Sequence, residues 1–390
     1  MLARWFRVHS CWIAAAVFAV TFVSVQARPI AAAPDSPTWP QAQAQPAVKT
    51  PAQLYAETCA ACHGPDGKGR ERSIVGFDVP LPDFSDCSFA AGEADADWLA
   101  VAHTGGPVRG FSRIMPAFGG ALSEADLLKT LAHIRTFCGD PAWPRGELNL
   151  PRALLTEKAF PENEAVLTSS IAASGPAALA TTIVYEKRFG SRNQIELVVP
   201  LAAGRGGPNN EWQGGAGDVA IGFKRAIAHS LERGHILAVA AEIKIPTGDE
   251  SAGLSKSTPI FEPFVSYGQI LRGDSFVQVQ AGVELPFNAA RAEREAFGRV
   301  ALGRTWTQGP LGFGRSWTPM VELAAVRELK GGERILWDLV PQVQFSLNTR
   351  QHLLASIGVR VPVNQRDGRH TQVLFYILWD WFDGGLFDGW

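Results

Sequence analysis

The chain has 390 residues, enough for two or three domains, and its formal net charge at pH 7 is only −2. A balance this close to neutral gives no electrostatic reason to expect a nucleic-acid partner. Charged residues make up 19% of the chain, yet beyond the N-terminal region no segment is continuously apolar. Function therefore has to be sought in motifs and periodicity rather than in bulk composition.

The N-terminal residues 1–33 are typical of a secretory signal. Arg4 and Arg7 supply a basic start, and the apolar run 11–25 is short for a membrane span. An uncleaved anchor is the alternative interpretation. Residues 34–50, rich in proline, alanine and glutamine, predict a flexible linker.

The sequence Cys59-Ala60-Ala61-Cys62-His63 has the spacing by which c-type haem is attached. Each thiol can add to one haem vinyl group, and His63 can then bind the iron from one side. Half of a zinc site or a redox dithiol is the alternative, but zinc needs a second ligand pair with suitable spacing, which the sequence lacks. We therefore predict one covalent haem c, attached at Cys59 and Cys62. Export agrees, because this haem is normally attached outside the cytoplasm.

The sixth iron ligand should be a soft or imidazole group. The three methionines are Met1, which belongs to the predicted signal, Met115, and Met320, which lies far down the chain. Met115 precedes Pro116, which cannot continue a helix, so Met115 should lie on a loop able to bend towards the iron. A methionine of the core is the alternative reading, and His103 is the competing ligand.

Residues 51–140 resemble class I cytochrome c domains. The resemblance rests on CAACHGPDGKG, on MPAF, and on a closing helix whose apolar residues recur at helical spacing after Ser123. It implies an all-α fold with His63 and Met115 as axial ligands. The insert FSDCSFA and the final Cys138 are not part of the basic family pattern.

The sequence has five cysteines, and Cys11 lies in the apolar run of the predicted signal. When Cys11 and the haem pair are set aside, Cys87 and Cys138 remain. In an oxidising compartment, an even number of remaining cysteines predicts a disulfide, with two separate free thiols as the alternative.

Arg109 and Arg113 flank the Met115 loop. They could meet haem propionates, but surface arginine is the simpler interpretation.

Residues 141–162 contain four prolines and predict a linker or an extended arm. From residue 163 to 390 the periodicity changes to two, which is typical of strands with one apolar and one polar face. Twelve strands are predicted, beginning near residues 164, 180, 193, 217, 235, 258, 273, 295, 316, 335, 352 and 371.

Most of these strands have 9–14 residues, long enough to cross a bilayer at a tilt. Tight turns alternate with long polar loops at 203–216, 248–257 and 286–294, as in outer-membrane barrels; the connection 308–315 is longer than this rule predicts. An even strand count would put both ends of the barrel, and the haem domain, on the periplasmic side.

A soluble β-sandwich or a lipocalin-like barrel is the alternative, because the pattern does not say which face points inward. Strand length, charges on every polar face, and aromatic residues near strand ends favour a membrane barrel. In YEKRFG, GDVAIGFK and EIKIPTGD the sequence resembles the outer-membrane transporter family associated with the meta-pathway of phenol degradation. That resemblance implies a channel-like barrel and transfers no catalytic residue. The whole architecture is also similar to fused cytochrome–porin iron oxidases, whose smaller haem segment prevents carrying over their substrate.

The predicted fold is thus multidomain, a small all-α cytochrome c domain followed by an all-β antiparallel transmembrane barrel of about 12 strands. The predicted function is electron transfer by covalent haem at the outer membrane, with a periplasmic redox partner or a small redox species, and with membrane lipid around the barrel. The alternative is a transporter or pore with a regulatory or docking haem domain. An enzyme such as a peroxidase ranks last, because Met115 would fill the open iron site that peroxidase chemistry needs.

Overall fold

The computed structural model describes residues 48–77, 80–206, 211–308 and 315–381. The predicted signal, most of the linker 34–50 and the end of the chain lie outside the described residues. The part from Lys49 onward forms one compact unit.

The first part of this unit is helical. Its elements are α1 (Pro51–Thr58), α2 (Ala60–His63), α3 (Arg72–Val75), α4 (Cys87–Ala90), α5 (Asp95–Thr104), a 3-10 turn (Gly106–Arg109) and α6 (Glu124–Ile134). Helix α1 begins where Thr50 and Gln53 cap each other's backbone N–H groups, with Pro51 in the first position. Helix α6 begins at Ser123, whose hydroxyl accepts from the backbone of Asp126. Within the described residues, no helix combines the length and the apolar character needed to cross a membrane.

The core of the helical domain joins the two ends of its sequence. Tyr55 of α1, Leu99 of α5, and Leu127 and Leu131 of α6 are buried in one apolar cluster. This is the all-α domain that the sequence predicts, closed by packing of the first helix against the last.

The second part is a single antiparallel sheet. Its strands are β1 (Asn163–Ala172), β2 (Ala178–Phe189), β3 (Asn193–Gly206), β4 (Glu211–Ala216), β5 (Val219–Ser230), β6 (His235–Ile245), β7 (Ile260–Ile270), β8 (Ser275–Pro286), β9 (Glu295–Arg304), β10 (Trp306–Thr307), β11 (Ser316–Glu328), β12 (Leu336–Ser346), β13 (Leu353–Pro362) and β14 (Gln372–Asp380).

Pairing of β1 with β14 closes this sheet into a barrel. Strand β4 only extends the hairpin from β3, and the two residues of β10 lie beside β11, so twelve strands form the wall. Each wall strand begins within two residues of its predicted start. The predicted twelve-strand antiparallel barrel is confirmed, and part of the predicted loop 203–216 is instead strand.

The apolar face of the barrel points outward. Leu167, Ile183 and Ile221 on β1, β2 and β5 are each more than 40% exposed, whereas Glu186 and Gln194 on the opposite face are fully buried. Burial of the polar face indicates that it lines a filled interior. This arrangement is the reverse of a soluble barrel, which buries its apolar face.

The two ends of the barrel differ. Tight turns at 190–192, 231–234 and 271–274 lie at the same end as the start of β1 and the end of β14. The longer connections, such as 246–259 between β6 and β7, lie at the opposite end. Of the connection 308–315, residues 309–314 lie outside the described part.

Residues 148–162, which we call the luminal segment, lie inside the barrel. They belong to the stretch 141–162 that the sequence predicts as a linker. The backbone of this segment forms hydrogen bonds with inward-facing side chains from strands around the wall, including Gln194, Glu322 and Gln342. The chain therefore passes from the helical domain through the lumen before it enters β1.

Candidate haem site

The motif cysteines lie where α1 ends and α2 begins. Cys59 lies between the two helices, as the C-cap of α1, and its carbonyl accepts hydrogen bonds from the backbone N–H groups of Cys62 (3.1 Å) and His63 (2.9 Å). This single helical turn holds the three residues together. Both cysteines are free thiols, and burial raises the pKa of Cys59 above its ordinary value. Neither thiol is engaged in a disulfide that would compete with haem attachment.

His63 is buried, with 9% of its surface exposed. Burial lowers the pKa of His63 to about 4, so the imidazole is neutral at pH 7, the form that binds a metal. Among the described residues, its buried Nδ1 atom has no hydrogen-bond partner. A neutral imidazole with an unsatisfied nitrogen, directly after two free thiols, fits a covalently attached haem.

Aromatic side chains line the same region. Phe84 stacks on the His63 ring with the ring centroids 4.8 Å apart, and Trp98 lies 5.2 Å from Phe84. Phe89 stacks on Trp98 at 5.9 Å. These rings give the histidine an apolar, low-dielectric surrounding, one of the features by which a protein tunes haem chemistry. The sequence motif does not predict a role for these three aromatic residues, because they have no fixed spacing from it.

The loop after the motif needs a glycine at residue 67. Gly67 has φ +76°, and a Cβ atom there would come within 2.5 Å of the Phe137 ring. The hydroxyl of Tyr55 donates to the Gly64 carbonyl at 2.6 Å and holds the start of the same loop. The glycine run of the motif therefore lets the loop close onto α1 and onto the end of α6.

Met115 lies on the irregular loop that follows α5, as predicted from Pro116. The backbone carbonyl of Met115 accepts from Gly106 at 3.0 Å, and Phe118 donates to Ala102 at 3.0 Å. The loop is thus fastened at both ends to the region of α5. Met115 stays the predicted sixth ligand.

The competing residue His103 has other neighbours. Its Nδ1 atom lies 3.2 Å from the Thr104 hydroxyl oxygen. A Cβ atom on Gly119 would come within 2.5 Å of the His103 ring, so this ring lies directly over the backbone of Gly119.

The two arginines beside the loop differ from one another. Arg109, interpreted from the sequence as a surface residue, is buried and pairs with Asp97 at 2.8 Å. Arg113 is exposed, as expected of a surface arginine.

Cys87 at the start of α4 and Cys138 after α6 are bonded to each other. The bond joins the insert FSDCSFA to the end of the helical domain. Arg135 reinforces the same junction, because its guanidinium donates to the Glu93 carbonyl at 2.9 Å and to the Asp95 carboxylate at 2.8 Å.

The helical domain contacts the end of the barrel that carries the tight turns. The Glu93 carboxylate meets His352, and the Arg350 guanidinium lies 4.4 Å from the centre of the Phe111 ring. Arg192, in the β2–β3 turn, donates to the Ala142 carbonyl at 2.9 Å. Phe111 belongs to the same loop as Met115, so a barrel turn touches the loop of the predicted iron ligand. These interdomain contacts are not visible in the sequence pattern.

A second cluster of possible ligands lies in the lumen. Glu157, Glu186 and Glu196 bring carboxylate oxygens within 4.8 Å of one another. Arg152 lies 3.2 Å from Glu186, and Lys224 lies 3.7 Å from Glu157. Because the chain's own cations pair with two of these three carboxylates, we interpret the cluster as part of an ion-pair network.

Comparison with known families matches the helical part of the chain. A family model described as cytochrome c oxidase, cbb3-type, subunit III matches residues 46–134, so the helical part is similar to c-type cytochrome domains. No functionally curated protein matches the chain.

Several solved structures also match part of the chain, at low sequence identity. A KdgM porin is 8% identical, with a TM-score of 0.34, over 56% of this chain and 99% of that chain. A NanC porin is 10% identical, with a TM-score of 0.37, over 56% and 98%. The beta domain of the Bordetella autotransporter BrkA is 13% identical, with a TM-score of 0.36, over 56% and 99%.

Proposed function

We propose that this protein is an electron carrier of the outer membrane, with one covalent haem c in its helical domain and a barrel that holds the domain at the membrane. Haem c supplies reversible one-electron exchange when it is bound. In this proposal Cys59 and Cys62 attach the haem, and His63 and Met115 are its axial ligands. Its electron partner would be a periplasmic redox partner or a small redox species.

The observation that carries the proposal is the buried, neutral His63 beside two free thiols, in a domain fastened to the rim of a closed barrel. The apolar wall of Phe84 and Trp98 would exclude water from the proximal side of the iron. The loop of Met115 is held by backbone hydrogen bonds, which would limit the reorganisation that accompanies electron transfer.

The membrane part of the proposal rests on the outer surface of the barrel. Exposed apolar side chains recur on neighbouring strands, for example Leu167, Ile183 and Ile377, which are paired across β14, β1 and β2. Burying this surface in lipid would remove a large apolar area from water, at roughly 25 cal/mol per Å². Closure of the sheet also pairs both edges of each of the twelve wall strands, which a bilayer requires. The resemblance to an outer-membrane transporter family agrees with this location.

The first test is a haem stain of fractionated cells. Haem that survives denaturation should travel with the full-length chain in the outer-membrane fraction. Cys62→Ser should weaken or abolish the stain, because one thioether bond is lost. Ala61→Ser, at the exposed position between the two cysteines, is the matched control and should keep it. An unchanged stain in Cys62→Ser would remove the basis of the proposal.

The second test is a redox titration of the purified protein. We expect a reversible one-electron curve with a c-type spectrum, and faster haem reduction by a periplasmic cytochrome fraction than by buffer alone. Ferrous iron added in parallel tests a small inorganic donor. A haem that stays open to ligands such as cyanide and turns over peroxide would favour the enzyme reading instead.

A further inference from the structure

We propose that the luminal segment, residues 148–162, is a resident plug that seals the barrel against ions and solutes. The barrel then acts as a closed anchor for the helical domain and not as a diffusion pore. This inference concerns the lumen alone and does not depend on the redox role of the haem.

The first support is that the wall provides hydrogen bonds along the backbone of the segment. Backbone N–H groups donate to Gln342 (from Leu154, 3.0 Å), Glu322 (from Thr156, 2.7 Å), Gln280 (from Glu157, 3.1 Å) and Gln194 (from Glu162, 2.7 Å). Backbone carbonyls accept from Gln278 (at Pro151, 2.8 Å), Tyr376 (at Arg152, 2.7 Å), Arg299 (at Leu155, 2.7 Å) and Lys224 (at Lys158, 3.0 Å). These partners come from β3, β5, β8, β9, β11, β12 and β14, so the segment is bound around most of the wall. An irregular chain surrounded by protein keeps its backbone polar groups paired in this way.

The second support is apolar packing against opposite parts of the wall. Leu154 packs with Val166, Val184, Val340 and Tyr376. On another side, Leu150 and Ala153 pack with Phe276, Ala301 and Met320. In a third cluster, Leu148 and Phe160 pack with Ala226, Ile236 and Ala238. A segment that merely crossed a wide aqueous channel would not bury its side chains on three sides.

The third support is the pairing of charges across the lumen. Arg152 lies 2.6 Å from Glu164 and 3.2 Å from Glu186, and Lys158 lies 3.1 Å from Glu164 and also pairs with Glu162. Glu164 and Glu186 belong to the wall and are 1% exposed or less. Without the two cations of the plug, these wall carboxylates would be buried and unpaired, which is costly.

Two glycines of the wall leave space for apolar side chains of the plug. A Cβ atom on Gly268 of β7 would come within 2.9 Å of Leu150, and one on Gly358 of β13 would come within 2.6 Å of Leu154. A twelve-stranded barrel has a backbone diameter of roughly 24 Å, and its inward side chains leave about half of that. Packed layers of chain lie about 10 Å apart, so one segment with its side chains fills this space.

Conductance across planar lipid bilayers tests the seal. The variant Leu150→Ser/Arg152→Ser/Leu154→Ser removes two apolar anchors and one cation from the plug without changing the wall. The matched control, Leu329→Ser/Lys330→Ser/Ile335→Ser, removes the same kinds of side chain from the exposed β11–β12 connection. We expect the wild type and the control to stay closed in potassium chloride, and the plug variant to conduct at least tenfold more.

Two outcomes would overturn the proposal. One is a wild type that shows the same open steps as the plug variant. The other is a plug variant that retains its covalent haem and the heat-shifted gel migration of a folded barrel, yet stays closed.

A labelling experiment covers the case in which the triple variant does not fold. Ala153→Cys places a thiol in the segment at a position that is 3% exposed, and Ser251→Cys places one in the exposed β6–β7 connection. A small, membrane-impermeant thiol reagent should label the first at least tenfold more slowly than the second. Equal labelling rates would show a water-filled lumen and contradict the plug.

Discussion

Glu93 of the helical domain and His352 of the barrel are joined by a hydrogen bond, with Oε1 of the carboxylate 2.9 Å from Nε2 of the imidazole. Both side chains are largely shielded from solvent, with 17% and 7% of their surfaces exposed. On the other side of the ring, Nδ1 lies 3.4 Å from the Asp380 carboxylate of β14. One histidine in the turn before β13 thus links the helical domain to the seam where the barrel closes.

Removing this histidine should loosen the haem domain. In His352→Ala the carboxylate of Glu93 would stay buried without its partner, a change that typically costs about 2–5 kcal/mol. We expect a lower midpoint for the thermal loss of the native haem absorbance. Lys330→Ala breaks an exposed pair with Glu293, which solvent screens, and should leave the midpoint close to that of the wild type. Equal thermal midpoints for His352→Ala and Lys330→Ala would show that the contact between Glu93 and His352 does not stabilise the domain.

The same contact should make the domain sensitive to acid. Burial alone would raise the pKa of Glu93, but attraction to His352, Arg109 and Arg135 outweighs it and holds this pKa below its ordinary value. A carboxyl group with a lowered folded pKa stabilises the fold above its unfolded pKa of about 4.3, and this stabilisation is lost as the pH falls through the folded pKa.

Wild-type stability should therefore decrease below about pH 4 more steeply than that of Glu93→Gln, which has no charge to lose. Chemical unfolding followed by haem absorbance, repeated from pH 3 to pH 7, measures the difference. Parallel curves for the two proteins would rule out this titration as a source of acid sensitivity.

Met115 should be the distal iron ligand. Met115→Ala should remove the weak long-wavelength absorption band of oxidised, methionine-ligated haem and lower the reduction potential, because methionine raises it. The change should be a sizeable part of the roughly 0.8 V that axial ligands span. Ile114→Ala, at the exposed neighbouring position, is the control and should leave the spectrum unchanged. If His103→Ala removes the band and Met115→Ala does not, the ligand assignment is wrong.

The Cys87–Cys138 bond should stabilise the helical domain by closing a long loop. For a sequence separation of 51 residues, loop-closure entropy gives about 4 kcal/mol at 25 °C. The double variant Cys87→Ser/Cys138→Ser should lose about this much free energy of unfolding. Thiol labelling of the unfolded, unreduced wild type should find no free cysteine, and the reduced sample should give two. Two labelled thiols before reduction would refute the pairing.

The haem domain should be on the periplasmic side, since both ends of the barrel and its tight turns lie at the end that contacts this domain. Outer-membrane barrels have short periplasmic turns and longer outer loops. A protease site inserted after Ser251, in the connection 246–259, should be cut in intact cells. The same site inserted after Ile74, exposed in the helical domain, should be cut only after the outer membrane is opened. Cleavage after Ile74 in intact cells would reverse the proposed orientation.

Local patterns in the sequence were sufficient for much of this architecture. The spacing of Cys59, Cys62 and His63 defines the haem motif without reference to any other residue. Period-two alternation and turn residues predicted all twelve wall strands, because successive side chains of a strand point to opposite faces of the sheet. The start of α6 at Ser123 follows from capping, which is equally local.

The tertiary structure determined the features that depend on residues distant in sequence. Alternation shows that a strand has two faces, but only closure of β1 onto β14 shows that the apolar face points outward and the face of Glu186 and Gln194 points inward. Residues 141–162 have the composition of a linker. The side chains that surround the part inside the lumen, such as Glu322 and Gln342, lie more than 150 positions away in sequence. A segment without periodicity becomes a packed element only when a closed wall supplies the hydrogen bonds and charges that its own sequence leaves unpaired.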